Sequence, residues 1–209
     1  TLTRSSAASD VYKRQEGTIT GWDTWWRVGA TPESDWNLLI VTVAKHPDSL
    51  NANVGVQKMR PDYSEMDREI FLEKNYKART LVWQNVYVNK GLNFAGNNGE
   101  TPAVPQVAVM NPMKTNYTND AKYEALENSL NSGDLGSRIG WGLLKRIDNY
   151  GDDIHHNYMT VDFYEKMSDM MLSRVSTQNA SRQLQDVVKM REHKSSITLW
   201  SGISLRPTQ

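Results

Sequence analysis

His155 and His156 stand side by side after the acidic pair Asp152-Asp153, and Tyr158, Thr160 and Asp162 follow at every second position. Imidazole titrates near neutral pH, so either histidine could act as a general base or as a ligand for a metal or a haem iron. In an extended strand alternate side chains share a face, which puts His156, Tyr158, Thr160 and Asp162 together and His155 on the other side. If that face looks into a cavity, an imidazole, a phenol and a hydroxyl converge there. His156 and Tyr158 are then the catalytic candidates, with Thr160 a ligand-binding one. The same spacing also suits a solvated strand end followed by ordinary sheet packing. A metal centre needs two or three further donors that the surrounding spacing does not supply, so no metal is expected.

Seven tryptophans offer a second kind of chemistry. Trp22, Trp25, Trp26, Trp83, Trp141 and Trp200 fall in strand-like segments, and Trp36 stands at a strand start. Such rings can wall an apolar cavity and stack on a planar ligand, which makes Trp22, Trp83, Trp141 and Trp200 binding candidates. Their recurrence in pairs fits a structural place at a sheet interface equally. Gly140 and Gly142 flank Trp141 on the opposite face and leave room for a ligand or a close helix. Met167, Met170 and Met171, at helical spacing, read as core filler. No Ser-His-Asp motif, phosphate loop or HExxH is present.

Composition narrows the partners. Lys plus Arg and Asp plus Glu number 24 each among 209 residues, so no net field draws the chain to nucleic acid or an anionic membrane. No apolar run approaches the roughly 18 residues that span a bilayer, so no membrane insertion is expected. With no cysteine, disulfides, thiol nucleophiles and thiolate zinc sites are excluded.

The elements that must position these residues occur twice. Residues 21–45, GWDTWWRVGATPESDWNLLIVTVAK, and 140–163, GWGLLKRIDNYGDDIHHNYMTVDF, both run Gly-Trp, strand, acidic turn, second strand. Trp22 and Trp141 are 119 apart, Thr42 and Thr160 118, Trp83 and Trp200 117, which is an internal repeat. It matches Thr42 with Thr160, Ile40 with Tyr158, and Asn37-Leu38 with His155-His156. In the first copy, strands are expected over 18–28 and 36–44. A helix opens with a capping box at Ser64 to Asp67, carries Met66, Ile70 and Phe71 on one side and ends near Asn75; a strand over 80–88 follows. In the second copy, strands are expected over 106–114, 137–147, 154–163 and 197–205. Its helices run from Thr118-Asn119-Asp120, with Tyr123, Leu126 and Leu130 on one stripe, and over 164–176 and 181–193.

The second copy thus reads β-α-β-β-α-β, the ferredoxin-like arrangement, and the first has only its closing ββ-α-β. Gln106 lies 35 residues before Trp141 whereas Glu16 lies six before Trp22, so about 29 residues, a leading strand and helix, are expected to be missing. The expected organisation is a non-native or disordered tail over 1–15, which resembles translated sequencing-adapter read-through, an incomplete unit over 16–89, a Gly/Asn/Pro-rich linker over 90–105, and a complete unit over 106–209.

Two tandem α+β units of this kind, each with a Trp early in its hairpin and another in its last strand, resemble the dimeric α/β-barrel superfamily. That group includes antibiotic-biosynthesis monooxygenases, EthD-like, stress-responsive and NIPSNAP-like proteins and, with haem, chlorite dismutase and dye-decolourising peroxidase relatives. The chain is similar to uncharacterised exported bacterial members whose second unit opens with a segment like VAVMNPMK. The resemblance implies antiparallel sheets facing each other around a cavity, a small apolar ligand, a homodimer, export, and oxygenation without a cofactor as in the cofactor-free monooxygenases. A filled, non-catalytic barrel is the rival from another class. Haem would require a histidine on a helix in the last third, where His193 is the sole candidate and, before Lys194, reads as a surface cap.

Overall fold

The structure, a computed structural model, describes residues 19–50, 60–95, 104–151, 153–175 and 182–205. The tail expected over 1–15 and Asp152 of the acidic turn lie outside them. The chain is mixed α+β and divides into two compact units: Arg27–Gly29 with Gln84–Trp200, and the remainder.

The smaller unit holds a hairpin of β1 (Gly21–Arg27) and β2 (Leu38–Val43), a single turn α1 (Pro47–Leu50) and a helix α2 (Glu65–Ala78). Its core is β1, where Trp22 and Trp25 are buried beside Ile19. The buried polar groups of β1 are paired, as desolvation demands: Thr24 Oγ1 accepts from the Ile203 N–H at 2.6 Å and Asp23 Oδ1 from Ser204 Oγ at 2.6 Å. Among the described residues β2 pairs with β1 alone, and none of its six residues is buried, although LLIVTV is as apolar as any strand of the chain.

α2 starts as its sequence dictates. The Ser64 N–H donates to Asp67 Oδ2 and the Asp67 N–H to Ser64 Oγ, both at 3.2 Å, closing the capping box. The expected apolar stripe is nevertheless uncovered: no residue of α2 is buried and Met66 is 70% exposed. The strand expected over 80–88 also fails at its start. Residues 80–86 form no ladder, Leu81 is 76% exposed, and pairing begins only at Tyr87. A strand exists only against a neighbour, and residues 197–200, the repeat counterparts of 80–83, have one in β4, defined below. Among the described residues of the smaller unit nothing stands in that place.

The larger unit contains β3 (Tyr87–Phe94), β4 (Val107–Thr115), α3 (Asp120–Leu130), β5 (Gly140–Arg146), β6 (Tyr158–Tyr164), α4 (Met167–Val175), α5 (Arg182–Met190), β7 (Arg191–His193) and the first half of β8 (Ile197–Leu205). The strands are antiparallel in the order β8-β4-β6-β5-β3, with β7 on the far end of β4. β4 has a partner on both edges and is buried on both faces, which explains its continuous apolar sequence. Pro112 fits in so central a strand because its carbonyl side, which accepts from Lys194 N–H at 3.0 Å, faces the gap between β7 and β8 where no ladder donor is needed.

The stretch expected as a linker begins as structure. Lys90–Phe94 belong to β3, and 96–103 lie outside the described residues. β3 also occupies the room expected beside Trp141. A Cβ on Gly140 would collide with the Phe94 ring and one on Gly142 would touch Leu92 at 3.6 Å, so these glycines admit a neighbouring strand rather than a ligand or helix.

Helices α3 and α5 cover one face of this sheet. Met113, Tyr123, Leu135, Trp141, Leu143, Tyr158 and Val187 form the main buried cluster, and Val107, Val109, Tyr164 and Met170 a second one. Each such side chain contributes roughly 1.5–3 kcal/mol by leaving water. No helix among the described residues is long and apolar enough to cross a membrane.

The hairpin registers correct the matching of the two copies. Trp22 faces Thr42, whereas Trp141 faces Asp162. Thr42 is therefore the counterpart of Asp162, Ile40 of Thr160, Leu38 of Tyr158 and Trp36 of His156. The shift from the sequence match is two residues, one strand period, so faces are conserved while partners change.

Candidate functional site

His156 is set in place by the residue after it. Asn157, buried, extends the β4–β6 ladder beyond its last strand residues. Its N–H donates to the Met113 carbonyl at 3.1 Å, its Oδ1 accepts from the Thr115 N–H at 2.8 Å, and its Nδ2 donates to the Thr115 carbonyl at 3.0 Å. On the other side the Arg146 N–H donates to the Asn157 carbonyl at 2.9 Å. The turn before it is held by Lys114, whose Nζ donates to the carbonyls of Gly151 (3.1 Å) and Ile154 (3.0 Å), and by Tyr117 stacked on Tyr150. Tyr87 arrives from the start of β3, opposite Arg146.

These constraints bring Tyr87 onto His156. The rings are nearly parallel at 14°, with centroids 6.1 Å apart, and Tyr87 Oη lies 2.6 Å from His156 Nε2. His156 is only 8% exposed; its Nδ1 is 3.1 Å from Nδ1 of His155, which is exposed. The Tyr87 oxygen also accepts from Asn85 Nδ2 at 3.3 Å. Burial, reinforced by the cationic Arg146 and opposed by Asp148, pushes the His156 imidazolium down to about 4, so the ring is neutral at pH 7. Burial also raises the Tyr87 phenol to about 12. Arg146 and Asp148 neutralise each other through bonds of 2.9 and 3.2 Å, beside a neutral Tyr87–His156 pair.

The other expected site residues go elsewhere. Tyr158 faces the helices, where its hydroxyl donates to Glu124 Oε1 at 2.6 Å; burial and that carboxylate raise its pKa far above the ordinary phenol. His156 and Tyr158 therefore do not converge as the alternation suggested. His156 precedes β6, where the strict two-residue period does not hold. Thr160 is buried between Asn111 and Leu143 in neighbouring strands. Trp22 and Trp141 are buried, whereas Trp83 and Trp200 are 38% and 45% exposed. Trp83 meets Trp36 edge-on at 5.9 Å. Of these tryptophans Trp141 lines a cleft, one of about 280 Å³ shared with Leu92, Asn93, Asn128, Asn131 and Ser132. His193 sits in β7 rather than at a helix end, with Nε2 2.7 Å from the Ser195 carbonyl. Among the described residues no three His, Asp or Glu side chains are grouped to hold a metal ion.

The participant that sequence reasoning missed is Tyr87. It lies 69 residues from His156 in the chain, and its one local signal is an aromatic residue in a β-rich run.

A comparison with protein-family models finds no match, and neither does one with curated proteins. Solved structures do match. A putative monooxygenase from Lactobacillus acidophilus superposes with a TM-score of 0.55 at 9% identity, covering 98% of this chain and 90% of its own. An anthrone oxidase-like protein gives 0.56 at 10% identity, covering 94% and 86%. A putative monooxygenase from Fusobacterium nucleatum gives 0.53 at 10% identity, covering 99% and 92%. These are α/β-barrel proteins, and at such identities what this chain shares with them is the fold.

Proposed function

We propose that the protein is a monooxygenase-like α/β-barrel that binds a small, largely apolar molecule and oxidises it with dioxygen, without a bound cofactor. The reading includes a tandem ferredoxin-like organisation, supported by the β-α-β-β-α-β order and the strand order β8-β4-β6-β5 of the larger unit. Association into a homodimer belongs to it as well. What carries it is the likeness of fold, over nearly the whole chain, to two putative monooxygenases and an anthrone oxidase-like protein. An anthrone-type substrate has an activated methylene: one equivalent of dioxygen converts CH₂ to C=O and leaves one water. The first step is loss of a proton from carbon, which a neutral imidazole such as His156 can assist through the Tyr87 hydroxyl bonded to its Nε2.

The rival is a non-catalytic protein with a filled core. One observation favours it: of the residues expected to wall a cavity, Trp22, Tyr158 and Thr160 are buried and line no described cleft, although Trp83 and Trp200 are exposed and Trp141 lines one. Chelator-treated protein incubated with anthrone in an oxygen electrode distinguishes the two. Stoichiometric oxygen uptake and carbonyl product support the oxygenase, and folded protein with no uptake above buffer supports the filled core.

A further inference from the structure

We propose that Tyr87, His156 and His155 form a proton relay between a substrate held at the Tyr87 hydroxyl and solvent at His155. The inference rests on the reading above in its choice of substrate, a C–H or O–H acid with a delocalised anion. The relay itself stands on geometry.

Three side chains from two separate stretches of chain are linked end to end, at 2.6 Å from Tyr87 Oη to His156 Nε2 and at 3.1 Å from His156 Nδ1 to His155 Nδ1. They descend from a half-buried phenol through a buried ring to an exposed one. A phenol oxygen has one donor and two acceptor places. With one acceptor place taken by Asn85 and the donor directed at His156, one lone pair of Tyr87 remains for an incoming proton.

Two proton arrangements satisfy the chain with every ring neutral. In the first, the Tyr87 hydroxyl donates to His156 Nε2, His156 Nδ1–H donates to His155 Nδ1, and His155 carries its proton on Nε2. In the second, His156 Nε2–H donates to the Tyr87 oxygen and His155 Nδ1–H donates to His156. Passing from the first to the second takes one proton from substrate onto the Tyr87 oxygen and releases one from His155 Nε2 to water. Three N–H or O–H bonds break and three form, counting those of the chain, and no charge is stored inside. That matters because the groups around His156 disfavour a cation there: Arg146 on β5, Lys114 on β4 and His155 beside it oppose one, and only Asp148 assists. Reversal returns the proton to an oxygenated anion and resets the chain. Tyr87 is the catalytic residue; His156 and His155 act through it.

The test uses the full chain with anthrone and dioxygen. Tyr87→Phe keeps the ring stack and should lower kcat roughly 100-fold, the lower range for a positioned acid–base group. His155→Ala, on an exposed side chain, should lower kcat about tenfold, move the pH profile and respond to imidazole added to the buffer, which a merely structural histidine would not do. Wild-type turnover in Tyr87→Phe, or an unchanged pH profile in His155→Ala, overturns the relay. If wild-type protein does not oxidise anthrone, the oxygenase reading falls and the relay is judged on resting protein by ¹⁵N NMR of the histidine rings. Tyr87→Phe and His155→Ala should each change the tautomer balance of His156; unchanged His156 nitrogen shifts in both overturn it.

Discussion

The two hairpins end differently, and the difference separates scaffold from chemistry. Six residues before Thr42 and Asp162, the partners of the paired tryptophans, stand Trp36 and His156. In the smaller unit Trp36 meets Trp83 edge-on at 5.9 Å; in the larger, His156 stacks on Tyr87 at 6.1 Å. Both contacts close the same end of the same motif with aromatic rings. Only the second places an ionisable oxygen and a basic nitrogen 2.6 Å apart. The smaller unit thus pairs two indole rings where the larger pairs a phenol with an imidazole. The second contrast is coverage: β6 has partners on both edges and is mostly buried, whereas its counterpart β2 has one partner among the described residues and no buried residue.

The sharpest way to break that contrast is Tyr158→Ala against Leu38→Ala at its counterpart. Tyr158 is one of the seven residues of the main buried cluster, so its truncation should cost about 3–5 kcal/mol in urea unfolding, the range for buried aromatics. Leu38, half-buried on an edge strand, should cost about 1 kcal/mol. Equal costs would mean the smaller unit is as well covered as the larger. Next, Asn157→Ala removes the clamp on the β4–β6 ladder and leaves the Thr115 N–H without its acceptor. A loss of about 2–3 kcal/mol is expected, with the His156 ring signals broadened in NMR.

Acid should reveal the same asymmetry. His156 titrates at about 4 when folded and near 6.5 when unfolded, so the unfolded chain takes up the proton first. The stability this neutral ring permits is intact above pH 6.5 and is lost as pH falls toward 4. Urea midpoints at pH 7 and 5 should differ less in His156→Gln than in wild type, whereas Trp36→Phe should leave the difference unchanged. The smallest effect is expected at the exposed aromatic pair: Trp83→Ala should cost about 0.5–1.5 kcal/mol, the worth of an edge-on ring contact. A larger loss would show that Trp83 carries core packing despite its exposure.

Much of the fold was legible locally. The Ser64–Asp67 capping box, the β4 strand and the β8 strand over 197–205 appear where propensity and pattern place them, because caps and β-branched runs act within a few residues. The 80–86 segment reads as strand by the same signals and is not one, because a ladder depends on a neighbour that composition cannot supply. The site was half legible. A histidine pair after an acidic turn announces acid–base potential, whereas the burial of His156 and its 2.6 Å contact with Tyr87 are not written in the local sequence. Its expected partner, Tyr158, was chosen by extending strand alternation into the turn that carries His156.

What the sequence by itself determined is the repeated hairpin, the order of elements and the presence of titratable groups at one turn, since these follow from spacing, propensity and side-chain chemistry read along the chain. Tertiary structure alone decided that Tyr87 rather than Tyr158 meets His156, and that Phe94 rather than a ligand fills the space over Gly140. The physical reason is that both outcomes depend on β3 pairing with β5, a contact between segments some fifty residues apart whose register is set by hydrogen bonds across strands and not by any pattern within either one.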